Sequence, residues 1–265
     1  MVIFDSNEYV DMQQGIAAWI IGGFLVGWGT RMGNGCTSGH GVCGMPRFAP
    51  RSIVAVCTFM ATGFAMATFR YYVPFWEGNS GWGEDYSQVW KVIALVLLIV
   101  SNIAAAIYIF LKRENWLDLF LSYILGAVFG TGLVISGMCR ISKIRNFLII
   151  GEPWDPSLIF VMLSAVAINV ITFNYILRKV PQPILGGASA KYGVPPNGKI
   201  DARLIFGAAI FGIGWGISGL CPGPGVICFF SLTHGIIWLV SLAIGQVTFD
   251  LSLARFGVYA SKKKA

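Results

Sequence analysis

The sequence predicts one all-α integral membrane domain over residues 1–265, with about seven spanning helices, short re-entrant half-helices and internal repeats of inverted topology in an hourglass-like arrangement. Three observations predict it. Only 12% of the 265 residues are charged and 56% are hydrophobic, whereas a soluble domain carries roughly 25% charged residues. Several uncharged stretches are each long enough to cross a bilayer, and a soluble fold has nowhere to hide them all. The third observation is a glycine-rich cysteine motif that returns. GNGCTSGHGVCG at 33–44 sets Cys36 and Cys43 seven apart, and GISGLCPGPGVICFFS at 216–231 sets Cys221 and Cys228 seven apart. A weaker copy, ISGMCRISKIRNFL at 135–148, keeps Cys139 and has Asn146 where the second cysteine would fall. Aligned on the cysteine, Gly27, Gly130 and Gly212 coincide, as do Gly29, Gly132 and Gly214. Self-similarity of this kind marks a repeat architecture.

The same composition excludes other classes. The net charge is +7, but the positives sit in loops and at the tail, and no basic face interleaved with aromatics marks a nucleic-acid partner. The opening MVIFDSNEYVDMQQ is acidic and polar, without the positive n-region of a signal peptide. Six cysteines in so apolar a chain are not the disulfide framework of a small secreted domain.

The first repeat unit covers 15–73. Its apolar segment at 15–30 falls short of the roughly 20 residues a span needs, so the helix is expected to end inside the membrane and hand over to the Cys36 loop. Non-helical backbone at that depth is tolerated only where protein buries it or it lines a cavity. Residues 42–48 read as a short return helix and 52–73 as the next span. The stretch 74–87 carries Glu77, Glu84 and Asp85 among glycines and serines and reads as an exposed loop, with Trp76, Trp82, Tyr86 and Trp90 at headgroup level. Residues 89–111 form an extra span outside the repeats. The second unit, 117–177, has a span to 138, a return at 140–150 and a span at 157–177. A polar linker rich in proline and glycine follows at 178–203. The third unit, 204–258, has a glycine-rich span to 220, a break at Pro222 and Pro224, a half-helix at 226–232 and a last span from 235.

Charge sets the orientation. The positive-inside rule places Lys112–Arg113, the 178–203 linker and the lysine tail in the cytoplasm. The N-terminus and the acidic loop then lie outside. The first and third units run in opposite directions, which is the inverted-repeat plan of secondary transporters with broken helices at the midplane. The middle unit has no inverted mate, so a partner subunit or a second copy is expected to supply one.

Each cysteine loop combines three features. The pairs Gly23–Gly27, Gly126–Gly130 and Gly212–Gly216 are small-xxx-small steps that pack membrane helices. The start of each return helix presents free N–H groups suited to an anion, which makes Gly33, Gly35, Thr37, Ser38, Gly39, His40 and Gly41, with Gly219, Gly223 and Gly225, the candidate anion-binding backbone. The thiols of Cys36, Cys139 and Cys221 recur at each helix break, with Cys43 and Cys228 as further steps. A buried cysteine is commonly just packing, which is the reading for Cys57, but recurrence at one place in three units points to a path. A neutral thiol is a weak donor and acceptor, so it can pass a soft sulfur-bearing anion without trapping it. Arg31 and Arg140, at loop margins, would either draw an anion to the pore mouth or anchor the interface by snorkelling. Asp250, inside the last span, is either functional or the partner of Arg255.

Other uses of the thiols were weighed. Four cysteines match the ligand count of a zinc or iron–sulfur site, but the spacing exceeds the usual two to four residues, and no metal or cofactor is expected. A Cys36–Cys43 disulfide has no support from the spacing. A membrane sulfurtransferase or thiol-redox protein would use the same cysteines covalently and would want a low-pKa thiol beside a cation. A non-catalytic subunit of a larger membrane complex is the third reading.

GNGCTSGHGVCG followed by RSIVAVCTFMATGF, then SGMCRISKIRNFL and SGLCPGPG, resembles the YeeE/YedE family of sulfur-compound transporters from Gly22 to about Phe249. The resemblance implies thiosulfate import across the inner membrane, no enzymatic turnover, and an hourglass of helices pinched by re-entrant cysteine loops. It implies path roles for Cys36 and Cys221, with Cys139 in the analogous place of its own unit.

Overall fold

Two helices of less than full membrane length hold the centre of the molecule. The computed structural model describes residues 14–76, 96, 100–108, 111, 116–152, 154–180, 182, 192–193, 198–228 and 235–255, with backbone alone at 116, 228 and 255. The central pair is α1 (Ile16–Gly33) and α6 (Ala202–Ser218), of 18 and 17 residues, or about 27 and 26 Å at 1.5 Å per residue. The other helices are α2 (Pro50–Tyr72), α3 (Trp116–Ile135), α4 (Ile141–Leu148), α5 (Ser157–Ile171, prolonged by a π-helical turn Thr172–Ile176 and Leu177–Lys179), α7 (Pro222–Cys228) and α8 (Gly235–Arg255). Four described stretches are long and apolar enough to cross a membrane: Pro50–Tyr72, Leu117–Ile135, Ser157–Lys179 and Gly235–Ala254. Of the extra span at 89–111, the described residues 96, 100–108 and 111 are helical. The rest of it, the acidic loop from Glu77, Lys112–Arg113, most of the 178–203 linker, His234 and the lysine tail lie outside the described residues.

Glycine decides how the central helices meet. Gly22 of α1 abuts Ser218, Gly29 abuts Phe211, and Gly33 abuts Gly207, so α1 and α6 run antiparallel with backbones in contact. A Cβ on Gly27 would collide with the Leu242 backbone, and one on Gly212 with Phe59 and Thr62. Rising numbers on both sides of these contacts (Gly23 with Trp238, Gly27 with Leu242; Gly212 with Phe59, Gly216 with Ala67) set α8 parallel to α1 and α2 parallel to α6. Where helix association is not driven by the hydrophobic effect, close packing of this kind is what holds helices together. The result is reciprocal. The second helix of the first unit packs on the first helix of the third, and the second helix of the third unit packs on the first helix of the first. The expectation for Gly23–Gly27 and Gly212–Gly216 is met. That for Gly126–Gly130 is not: nothing described lies within 4 Å of a Cβ on Gly126, and Gly130 meets only Ile227 at 3.8 Å.

Aromatic side chains fill the space beside the glycines. Phe59, Phe211 and Trp215 form a buried cluster with ring centroids 5.4 to 6.2 Å apart. The short helix α4 closes it. Ile141, Ile144, Phe147 and Leu148 recur at helical spacing and are all buried, with Phe147 against Phe64 at 5.6 Å. The 140–150 return is therefore a helix docked into the core, while α3 and α5 turn most of their apolar surface outward.

Candidate functional site

The three cysteine loops share one local geometry. α1 ends at Asn34 in the left-handed region, φ 58°. α6 ends at Gly219, φ 66°, whose N–H caps the Trp215 carbonyl. The turn after α3 has Gly137 at φ 75°. Cys36, Cys139 and Cys221 each lie two residues beyond that positive-φ position. Glycine takes this conformation without strain and asparagine tolerates it, so NGC, GMC and GLC are three spellings of one helix stop. A return helix starts almost at once: a π-helical segment Thr37–Gly44, α4 from Ile141, and α7 from Pro222. The expected returns at 42–48 and 226–232 thus begin five and four residues early. Pro222 is the reason in the third loop, since proline is pre-shaped for the first helical position.

The first and third loops leave opposite ends of the antiparallel α1–α6 pair, and they meet. Thr37 Oγ1 donates to Cys221 Sγ at 3.6 Å. Cys221 is 2% exposed. Cys36 is half-buried, with its Sγ 3.2 Å from Ser38 Oγ. Beside this junction lies a cavity of about 330 Å³. The first loop gives it Thr37, Ser38 and Val42, and the third loop gives it Cys221, Gly223 and Pro224. The opposite wall comes from the second unit, with Leu133, Ser136 and Met138 in and after α3, and Met162, Ser164 and Ile168 of α5. Every residue lining it is uncharged. All three repeat units therefore converge on one chamber.

The remaining expected site residues fall around the chamber. Cys139 is half-buried at the edge of the core, one residue beyond Met138. Cys43 is exposed, and Cys228 ends α7 with its backbone alone described. Cys36, Cys43, Cys57 and Cys221 are free thiols. His40 is buried, with Nδ1 3.2 Å from Ser52 Oγ and Nε2 3.3 Å from the Gly33 carbonyl, so both ring nitrogens are engaged within the protein. Its ring occupies the space a Cβ on Gly35 would need. Gly41 faces Met162 at 3.9 Å, and Gly39 is open. Gly225 makes room for the Trp238 ring, and Gly219 for Ile141 and Arg145. Arg140 is half-buried and precedes α4. Arg31 and Asp250 form an ion pair at 2.6 Å that ties α1 to α8. Asp250 thus pairs with Arg31, where the sequence had offered Arg255, because parallel packing brings the ends of these two helices together.

Sequence reading missed the α5 contribution. Asn169 Nδ2 donates to the Val42 carbonyl at 2.9 Å, and Asn174 Nδ2 to the Pro46 carbonyl at 2.8 Å. These amides satisfy carbonyls that the glycine-rich loop leaves without helical partners. Two asparagines inside an otherwise apolar span were the available signal, since polar groups at that depth need partners. Ser136 and Ser164 were missed because isolated serines are unremarkable in a membrane helix.

Two family models match separate stretches of the chain. Residues 7–65, which hold the first loop, match the sulphur transport family. Residues 117–259, which hold the second and third, match a family of unknown function, DUF6691. A probable transporter of Xylella fastidiosa strain 9a5c is 35% identical over 135 residues, 49% of this chain and 88% of the relative. A probable transporter of strain Temecula1 is 53% identical over 68 residues, 26% of this chain and 50% of the relative. No solved structure matches the chain. With a sulphur-transport match on one cysteine loop, a family match across the other two and probable transporters as relatives, the chain belongs to the YeeE/YedE-type family of sulfur transporters.

Proposed function

We propose that this protein carries a small sulfur-containing anion, thiosulfate, inward across the cell membrane, and that its path runs through the junction of the first and third cysteine loops. The observation that carries the reading is that junction: two loops from opposite ends of an antiparallel helix pair meet where Thr37 donates to Cys221, beside a chamber with uncharged walls. The reciprocal packing of α2 on α6 and α8 on α1 supports the inverted-repeat plan, with the loops re-entering from opposite faces. Neutral thiols and hydroxyls hold a soft anion weakly enough to release it. Cys36 and Cys221 would hand on the sulfur by non-covalent contact, and Cys139 would serve the second unit. The N-terminus is placed outside and the C-terminus in the cytoplasm. A second copy or a partner subunit would seat against α3, where Gly126 and Gly132 have open space among the described residues.

The test is uptake of labelled thiosulfate into sealed proteoliposomes containing this chain, with Cys221→Ala and Cys36→Ala in parallel. Uptake by the unaltered protein that drops at least tenfold in both variants supports the proposal. Uptake unchanged in both variants removes the cysteine path, and no uptake by the unaltered protein removes sufficiency of this chain.

A further inference from the structure

The cysteines leave half of the chamber unexplained. Besides Cys221 it is lined by hydroxyls from three separate places: Thr37 and Ser38 on the first loop, Ser136 after α3, and Ser164 on α5. Each hydroxyl has a partner within the protein. Ser136 donates to the Leu133 carbonyl at 3.0 Å and Ser164 to the Val161 carbonyl at 2.9 Å. Ser38 pairs with Cys36 at 3.2 Å, and Thr37 with Cys221 at 3.6 Å. The Ser164 bond costs little to leave, because the Val161 carbonyl is also held in the α5 ladder, and the contacts to Cys36 and Cys221 cost little because a thiol is a weak hydrogen-bond partner.

Resting on the transport reading above, we propose that Ser136 and Ser164, together with Thr37 and Ser38, form an oxygen-binding ring around the chamber that Cys221 also lines, and that this ring makes the path selective for sulfur anions that carry oxygens over sulfur anions that carry none. A solute oxygen entering the chamber accepts a hydrogen bond from a hydroxyl that rotates away from its internal acceptor. One hydrogen bond is exchanged for another, so the net gain is small and no charged group holds the ion. The soft end of the solute then faces Cys221 and the thioethers of Met138 and Met162. The first loop and the second repeat unit thus supply the hydroxyls that read oxygens, and Cys221 with the two thioethers supplies the soft contacts.

The experiment uses the full chain in proteoliposomes. It compares the KM for labelled thiosulfate with the inhibition constant of freshly prepared trithiocarbonate, a dianion of carbon and sulfur without oxygen. Removing hydroxyls worth an ordinary net hydrogen bond shifts affinity by roughly two- to tenfold each. The double variant Ser136→Ala/Ser164→Ala is expected to raise the thiosulfate KM at least fivefold and leave trithiocarbonate inhibition unchanged. The variant Ser136→Cys/Ser164→Cys keeps the side-chain size and is expected to lower the trithiocarbonate constant. Its thermal midpoint in detergent checks that the fold persists. An unchanged thiosulfate KM, or equal loss for both solutes in a folded variant, overturns the ring while thiosulfate transport stands. Failure of the unaltered protein to take up thiosulfate overturns the transport reading and the ring with it.

Discussion

Thr37 and Cys221, 184 residues apart, are joined by a hydrogen bond from the threonine hydroxyl to the buried thiol. The contact exists because α1 and α6 run antiparallel and each stops short, so that the loops beyond them turn back toward one another. Replacing Thr37 by Val removes the donor and keeps the shape. Since sulfur is a weak acceptor, the thermal midpoint is expected to correspond to a loss of less than about 1 kcal/mol, while thiosulfate uptake falls severalfold. Thr37→Ser, which keeps the hydroxyl, is expected to restore uptake. Equal uptake in the Val and Ser variants would detach this bond from the path.

The glycine contacts separate two classes of position. Gly27→Ala drives a methyl into the Leu242 backbone, and overpacking against backbone costs about 1–3 kcal/mol or more. Gly126→Ala meets no described atom within 4 Å and is expected to stabilise α3 by about 0.5–1 kcal/mol through propensity. Thermal unfolding of both variants in detergent checks the contrast. A tolerated Gly27→Ala would mean that α1 and α8 are not in backbone contact.

The Arg31–Asp250 pair is substantially exposed, with side-chain exposures of 52% and 37%. Exposed ion pairs contribute about 0–1 kcal/mol. A double-mutant cycle with Arg31→Gln and Asp250→Asn is expected to give a coupling below about 1 kcal/mol, with uptake retained in each. Loss of uptake in Asp250→Asn alone would make the aspartate a functional ionisable group rather than a tie between α1 and α8.

Asn169 holds the first loop through the Val42 carbonyl. Asn169→Leu leaves a backbone acceptor without its partner, which costs about 1–3 kcal/mol. The expected result is faster labelling of the exposed Cys43 by a maleimide, together with reduced uptake. An unchanged labelling rate would show that the loop does not depend on α5.

Asp155, in the connection ahead of α5, accepts the Ser157 N–H at 2.9 Å. That backbone bond holds its carboxyl below the usual aspartate value, against a small opposing effect of burial, with the Ser157 hydroxyl and the Lys143 charge adding to the lowering. A folded-state pKa that is lowered gives stability that is present above the unfolded value of about 3.9 and lost as pH falls through the folded value. The gap in thermal midpoint between the unaltered protein and Asp155→Ala is therefore expected to hold from pH 5 to 7 and to narrow below pH 4. A gap that widens on acidification would reverse the sign.

The sequence by itself determined the class of the protein, the places of its helices and the three helix stops. Charge scarcity makes a bilayer the suitable solvent, and glycine or asparagine two residues ahead of Cys36, Cys139 and Cys221 sets the turn locally, so these features are written in short stretches of chain. It also marked the first span as short and the glycines of α1 and α6 as contact positions. Only the tertiary structure decided which glycines meet: Gly27 finds Leu242 and Gly212 finds Phe59, while Gly126 finds no neighbour among the described residues, because contact depends on the direction and partner of each helix and not on spacing within it. The same holds for the chamber. Ser136, Ser164 and Asn169 carry no local signal that separates them from other polar residues in apolar helices. Their roles come from α3 and α5 standing opposite two loops that approach from opposite ends of the central pair.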